Sequence, residues 1–250
     1  MTSNERLASM DYDVFNGDAD GIISLVQLRL SDPRDAELVT GRKRDIKLLN
    51  RVSAQGGDRV TVLDISMRSN LPDLRRILKD GASVLYFDHH NAGEGAEHPK
   101  LEAHINTAGE ICTAVLVDQY LKGAHRAWAV AASYGDNFPA MAERLAKGLN
   151  LPMAKLKSLG EMVNYNGYGG SESDLHFHPA DLYREMAGMR HRWRFLQRNL
   201  RSLGRYSKAM PMILVWLSAQ KYSRRMQLAK LECCLMQLGR GGFRACSAIS

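Results

Sequence analysis

Cysteine is scarce in this chain, and none of it is spaced for chemistry. The four residues are Cys112, Cys233, Cys234 and Cys246. They form no C-x-x-C pair, so neither a zinc site nor a disulfide framework is expected, and free thiols are. Long apolar runs are missing as well. The greasiest stretch, Ala209 to Leu217, falls far short of the ~20 residues that span a bilayer, so no membrane partner is expected. Met1 to Met10 has neither the apolar core nor the Arg-rich pattern of a targeting segment, which makes the cytoplasm the expected compartment. No internal repeat or low-complexity tract breaks up the 250 residues, enough for one large domain or two small ones.

Acids are the next absence, and it is local. Residues 189–250 hold 13 Lys and Arg against one acid, Glu232, whereas residues 1–188 hold 21 basic residues against 26 acidic ones. The overall charge of +7 therefore joins an acidic globular part to a basic tail. Two readings of the tail follow. Clustered Arg with interleaved aromatics such as Trp193, Phe195 and Tyr206 fits phosphate neutralisation on nucleic acid. An excess of Arg, Ser, Cys and Met without acids is also what a shifted GC-rich reading frame produces. The codon degeneracy permits this: one base out of register, Cys234 to Ile249 can encode PDAAWARRVSGVFGN, and Gly188 to Gln197 can encode YASPLAFLA. The favoured expectation is an out-of-frame, poorly packed tail over 189–250, with the shift near Gly188.

What is present before the tail is an alternation of short apolar runs and amphipathic stretches. Tyr12–Phe15, Ala36–Thr40, Arg59–Asp64 and Ala82–Asp88 read as strands, rich in β-branched and aromatic residues. Ile22–Leu30 and Leu71–Leu78 carry helical spacing, the second stopped by Gly81. Strand and helix alternating in this order predict an α/β fold with a doubly wound, mainly parallel sheet flanked by helices. Residues 91–100 read as loop and Ile111–Leu121 as helix, while Trp128–Ser133 fits helix or strand. Phe138–Leu149 and Met153–Met162 read as an antiparallel helix pair joined at Asn150-Leu151-Pro152. The division that follows is a domain over 1–150, a helical connector over 151–188 and the tail.

Aspartate and histidine recur where the apolar runs end. Asp18 and Asp20 lie in Gly17-Asp18-Ala19-Asp20-Gly21, Asp64 follows the third strand, Asp88-His89-His90 ends the fourth, and Asp136 follows Trp128–Ser133. Residues just past the carboxyl ends of parallel strands lie on the usual ligand face of an open α/β sheet, so separated positions can converge there. An oxygen-and-nitrogen ligand set suits Mn²⁺ or Mg²⁺ rather than a thiol-seeking ion. Each motif also has a plain structural reading, since D-x-D-G caps helices and a lone Asp after a strand fills a turn. Adjacent His89 and His90 on extended backbone would point to opposite sides, leaving one as a ligand and the other beside the substrate. His176 and His178 at i and i+2 have no evident third ligand and read as structural. The stretch Tyr165-Asn166-Gly167-Tyr168-Gly169-Gly170 reads as a hinge beside a cleft.

The ordered set of four motifs over residues 11–188 resembles the DHH phosphoesterase superfamily, which includes RecJ-type single-strand exonucleases, oligoribonucleases and family II pyrophosphatases. The resemblance implies a centre of two Mn²⁺ ions, Mg²⁺ being the alternative. Asp18, Asp20, Asp64, His89 and Asp136 would be its ligands, with Asp64 bridging. His90 would contact the scissile phosphate or a bound water, and Asp88 would orient a histidine. The implied activity is hydrolysis of phosphodiester bonds in nucleotides or short oligonucleotides, with single-stranded nucleic acid as a partner. Many members carry a His four residues before the first Asp, where Val14 stands here. RecJ-type members lack it too, which places the chain nearer the nucleases than the pyrophosphatases. Superfamily enzymes normally add a smaller substrate-gripping domain, and this chain is expected to end before one is complete. A non-catalytic nucleic-acid-binding protein and a decayed remnant are the competing readings. Oligomeric state is left open.

Overall fold

The structure, a computed structural model, describes residues 9–151, 153–169 and 171–188. Five strands form one sheet: β1 (Asp11–Phe15), β2 (Glu37–Val39), β3 (Arg59–Leu63), β4 (Ser83–Asp88) and β5 (Leu101–Ile105). Their order is β2-β1-β3-β4-β5, and every neighbouring pair is parallel. The expected parallel α/β architecture is therefore present. Because β1 leads outward to β2 while β3 lies on the other side of β1, the winding reverses between β1 and β3. In sheets of this order the reversal opens a crevice at the carboxyl ends of those two strands.

The period of two along each strand sorts the layers. Tyr12 and Val14, Val60 and Val62, and Val84 and Tyr86 share one buried face with α2 (Met67–Lys79), to which Leu74, Ile77 and Leu78 contribute. Burying each such side chain is worth about 1.5–3 kcal/mol relative to exposure. Phe15, Leu63 and Phe87 alternate onto the opposite face, which carries α1 (Ala19–Ser31) and α3 (Thr113–Tyr120). On that side Asp13 and Arg29 form an almost fully buried ion pair, and Arg29 also donates to Thr61 Oγ1 at 2.9 Å.

Helix α4 (Arg126–Gly135) resolves the helix-or-strand alternative for Trp128–Ser133 in favour of helix. Both α5 (Pro139–Ala146) and α6 (Met153–Asn166) pack on α4, whereas α5 and α6 barely meet, so the expected α5–α6 pair is not the packing unit. The crossing of α4 and α6 runs through two glycines. A Cβ on Gly160 would lie 1.9 Å from the Ala131 carbonyl oxygen, and one on Gly135 would lie 2.5 Å from Ala19 Cβ. A further described helix, α7 (179–188), places Tyr183 against Phe15 with ring centroids 5.9 Å apart.

Two expectations need correction. Helix α2 begins at Met67, before Leu71, with Pro72 inside it. Strand β5 falls where no element was expected: Leu101–Ile105 is an edge strand with two exposed positions, so it lacks a dense apolar signature. The basic tail over 189–250 lies outside the described residues. Among the described residues no helix is long and apolar enough to cross a membrane.

Candidate metal centre

The carboxyl end of the sheet collects the sequence-predicted residues. Asp18 and Asp20 follow β1, Asp64 follows β3, Asp88 ends β4 with His89 and His90 after it, and Asp136 arrives from the end of α4. Asp136 thus reaches the site from a helix, delivered by the close Gly135–Gly160 crossing rather than by a strand end.

Local chain geometry explains why each side chain points inward. Asp18 is the N-cap of α1, its Oδ1 accepting the amides of Asp20 (3.1 Å) and Gly21 (3.2 Å), as short acceptor side chains do at orphan helix donors. Asp20 accepts the Thr113 and Ala114 amides at 2.7 Å each, which ties α1 to the start of α3. Asp64 sits at φ 59°, a left-handed conformation uncommon for a non-glycine residue, and Thr113 Oγ1 donates to its Oδ1 at 3.0 Å. Backbone outliers of this kind concentrate at functional sites, where the surrounding structure holds them. Asp88 is completely buried; its Oδ1 meets His90 Nδ1 at 2.7 Å and its Oδ2 accepts the Met67 amide at 3.4 Å.

His89 stands at the middle of the cluster. Its Nε2 lies 3.4 Å from Asp64 Oδ1, 3.7 Å from Asp136 Oδ2 and 3.8 Å from Asp20 Oδ2. His90 does not point to the opposite side from His89. The two rings lie 4.4 Å apart, and His90 Nδ1 comes within 4.0 Å of the same Asp64 oxygen. Strand β4 ends at Asp88, so alternation no longer governs the two histidines. Two overlapping three-residue sets can grip a cation: Asp64, His89 and His90, and Asp20, His89 and Asp136. Asp18 joins neither, because Oδ1 caps α1 and Oδ2 is held at 2.8 Å by Lys43 Nζ.

The electrostatics also favour a cation. Burial pushes the Asp64 carboxyl well above the usual range, and the charges of Asp20, Asp18, Asp136 and Asp88 push it further. Burial, then Asp20 and Asp18, raises Asp136 to about 8 despite the opposing pull of Lys43 and His90. Several buried carboxylates with this little positive charge between them favour a bound divalent ion. The oxygen-and-imidazole donor set fits Mn²⁺ or Mg²⁺. His90 is shifted upward, mainly by its hydrogen bond to Asp88.

Lys43 is the site residue the sequence reading missed. It follows β2 at the same end of the sheet, in Arg42-Lys43-Arg44, but nothing in the sequence marks the acids that a lysine after a short strand meets. Its ammonium lies 2.8 Å from Asp18, 3.8 Å from Asp136 and 3.3 Å from Asn164 Oδ1, and 5.3 Å from the centroid of the Tyr168 ring. Burial disfavours the charged ammonium, yet Asp18 and Asp136 outweigh that and raise its pKa. His176 and His178 make no such cluster: His176 stacks on Tyr165 at 5.9 Å, and His178 Nδ1 accepts the Ala180 amide at 3.3 Å.

A search with the sequence matches no protein-family model and no curated protein. Among solved structures, the chain is similar to a DHH domain described as a member of the s1p family of ribosomal proteins. The identity is 14% over 77% of this chain and 57% of that one, with a TM-score of 0.48. It is also similar to the exonuclease RecJ bound to manganese, at 16% identity over 93% of this chain and 66% of that one, TM-score 0.46. A third is RecJ in complex with Mn²⁺ from Thermus thermophilus, at 14% identity over 79% and 37%, TM-score 0.39. The chain spans 57% and 66% of the length of the first two.

Proposed function

We propose that this chain is a Mn²⁺-dependent phosphoesterase acting on phosphodiester bonds of nucleotides or short oligonucleotides. The observation that carries the reading is the convergence on His89 Nε2 of carboxylate oxygens from Asp20, Asp64 and Asp136, all within 3.8 Å, at the carboxyl end of a parallel sheet. Asp20, Asp64, His89 and Asp136 would hold the metal, with His89 common to the two overlapping groups of side chains. Asp18 would join them once the Lys43 ammonium moves off its Oδ2. A bound divalent pair supplies an activated water near neutral pH and charge neutralisation at phosphorus.

The remaining roles belong to side chains. Asp88 fixes His90 by accepting from Nδ1, and its charge favours the imidazolium, which suits His90 to donate to a phosphate oxygen. Thr113 Oγ1 and the amides of Thr113 and Ala114 hold the Asp64 and Asp20 carboxylates in place, leaving fewer rotamers to order when substrate arrives. The Lys43 ammonium, already at the mouth of the cluster, is placed to meet an anionic substrate.

The test is turnover of a short dinucleotide and of inorganic pyrophosphate by the full chain, with Mn²⁺ and with EDTA, beside the Asp64→Asn variant. Mn²⁺-dependent release of mononucleotide, lost in Asp64→Asn, is the expected result. Salt-sensitive binding of single-stranded DNA that survives Asp64→Asn, with no hydrolysis of either substrate, would replace this reading with a non-catalytic nucleic-acid-binding one.

A further inference from the structure

Tyr168 is the most exposed of the large hydrophobic side chains among the described residues, at 60%, and it stands beside the carboxylate cluster. A lone exposed aromatic is ordinary on a protein surface. Its mounting sets this one apart. The Gly167 carbonyl accepts the Lys43 amide at 3.2 Å, and the Gly167 amide donates to Asn164 at 3.0 Å. A Cβ on Gly167 would meet the Gly17 carbonyl oxygen at 3.0 Å and Asp18 Cα at 3.4 Å, so the backbone before Tyr168 rests directly on the first acidic motif. Just before it, the buried Asn166 side chain bonds both the amide and the carbonyl of Phe177, each at 2.9 Å, and Tyr165 stacks on His176. The stretch from Tyr165 that the sequence suggested as a hinge is tied through Tyr165, Asn166 and Gly167. The backbone that carries the Tyr168 ring is thus held against the first acidic motif.

Lys43 links that ring to the chemistry. The same ammonium that lies 5.3 Å from the ring centroid touches Asp18 at 2.8 Å. An aromatic surface, a cation and a metal-binding cluster therefore follow one another over a reach comparable to a single nucleotide. We infer that Tyr168 is a stacking platform for the base of a nucleotide whose phosphate lies between Lys43 and the acid–histidine centre. This rests on the proposed phosphoesterase reading and adds the substrate feature it selects: a flat π-face one sugar away from the phosphate, with little preference among bases, since every base offers such a face. Tyr168 acts on binding and takes no part in bond breaking.

The test separates base from phosphate. Binding of 5′-AMP and of ribose 5-phosphate to the full chain with Mn²⁺ is measured by calorimetry for wild type, Tyr168→Ala and Tyr168→Trp. Wild type is expected to prefer AMP by on the order of 5- to 100-fold, the usual worth of one base–aromatic stack. Tyr168→Ala should bring the two affinities close together by weakening AMP alone, and Tyr168→Trp should keep the preference. An unchanged preference in Tyr168→Ala, no preference in wild type, or no binding of either compound would each overturn the inference. Dinucleotide hydrolysis measured on the same preparations decides the enzymatic reading separately: a Tyr168-dependent base preference without turnover keeps the platform and removes the phosphoesterase.

Discussion

Replacing Asp136 by Asn should stabilise the metal-free protein while weakening its response to metal. Ligand oxygens of Asp136 and Asp20 lie within 4.8 Å of one another. At that separation two unit charges repel by about 3 kcal/mol at an effective dielectric constant of about 20. Two effects reduce the net. Lys43 lies 3.8 Å from the other Asp136 oxygen and loses a partner in the variant. The wild-type carboxyl, raised to about 8, also takes up a proton below that pH. The remaining gain is on the order of 1–2 kcal/mol, or roughly 2–8 °C in Tm for a chain of this size. The pH dependence has a definite sign. A folded-state pKa raised above the unfolded value of about 3.9 gives stability that is complete below that value and is lost as pH rises through about 8. Metal-free wild type should therefore lose Tm from about pH 4 to about pH 8, and Asp136→Asn should flatten that slope. With Mn²⁺ at a hundred times its dissociation constant, linkage adds about 2.7 kcal/mol to wild type, roughly 5–11 °C. The variant should gain much less. Thermal melts in EDTA and in Mn²⁺ between pH 5 and pH 8.5 give all four curves. A metal-free variant that melts below wild type at pH 8, or one with the full Mn²⁺ shift, would refute the reasoning.

Three further outcomes follow from packing. Gly160→Ala puts a Cβ 1.9 Å from the Ala131 carbonyl and must push α6 off α4, so urea titration should show a loss of about 1–3 kcal/mol or more; a neutral result would mean the helices do not cross at these glycines. Arg29→Met leaves the buried Asp13 carboxylate without its guanidinium and should cost about 3–5 kcal/mol, much of it recovered when Asp13→Leu is added. The same chemical denaturation reads both, and a single variant as stable as the double one would contradict the pairing. Asn166→Ala removes both side-chain bonds to Phe177 and should cost about 1–3 kcal/mol, with faster amide exchange at Phe177; unchanged exchange there would show that the segment is held by other contacts.

Most of the sheet was legible in the sequence because its inner strands are buried on both faces. Val60–Leu63 and Val84–Phe87 are dense with apolar residues, and a carboxylate after such a run can hardly lie anywhere but the sheet's carboxyl end. The candidate metal ligands were legible for the same reason: Asp18, Asp20, Asp64 and His89 all follow strands. Strand β5 was not, since an edge position demands little burial from Leu101–Ile105. Nor was Lys43, because a Lys after a short strand reads as solvated until Asp18 and Asp136 are seen on either side of it.

The sequence by itself determined the alternation of strand and helix and which residue types stand at the strand ends, since these follow from short-range periodicity and from what can be buried. Tertiary structure alone decided their combination. It set the 2-1-3-4-5 order that opens the crevice between β1 and β3, and the Gly135–Gly160 approach that brings Asp136 in from a helix. It also turned both histidines toward Asp64 and set Tyr168 beside Lys43. These depend on contacts between residues far apart in the chain, where close packing, rather than local preference, chooses one arrangement among many.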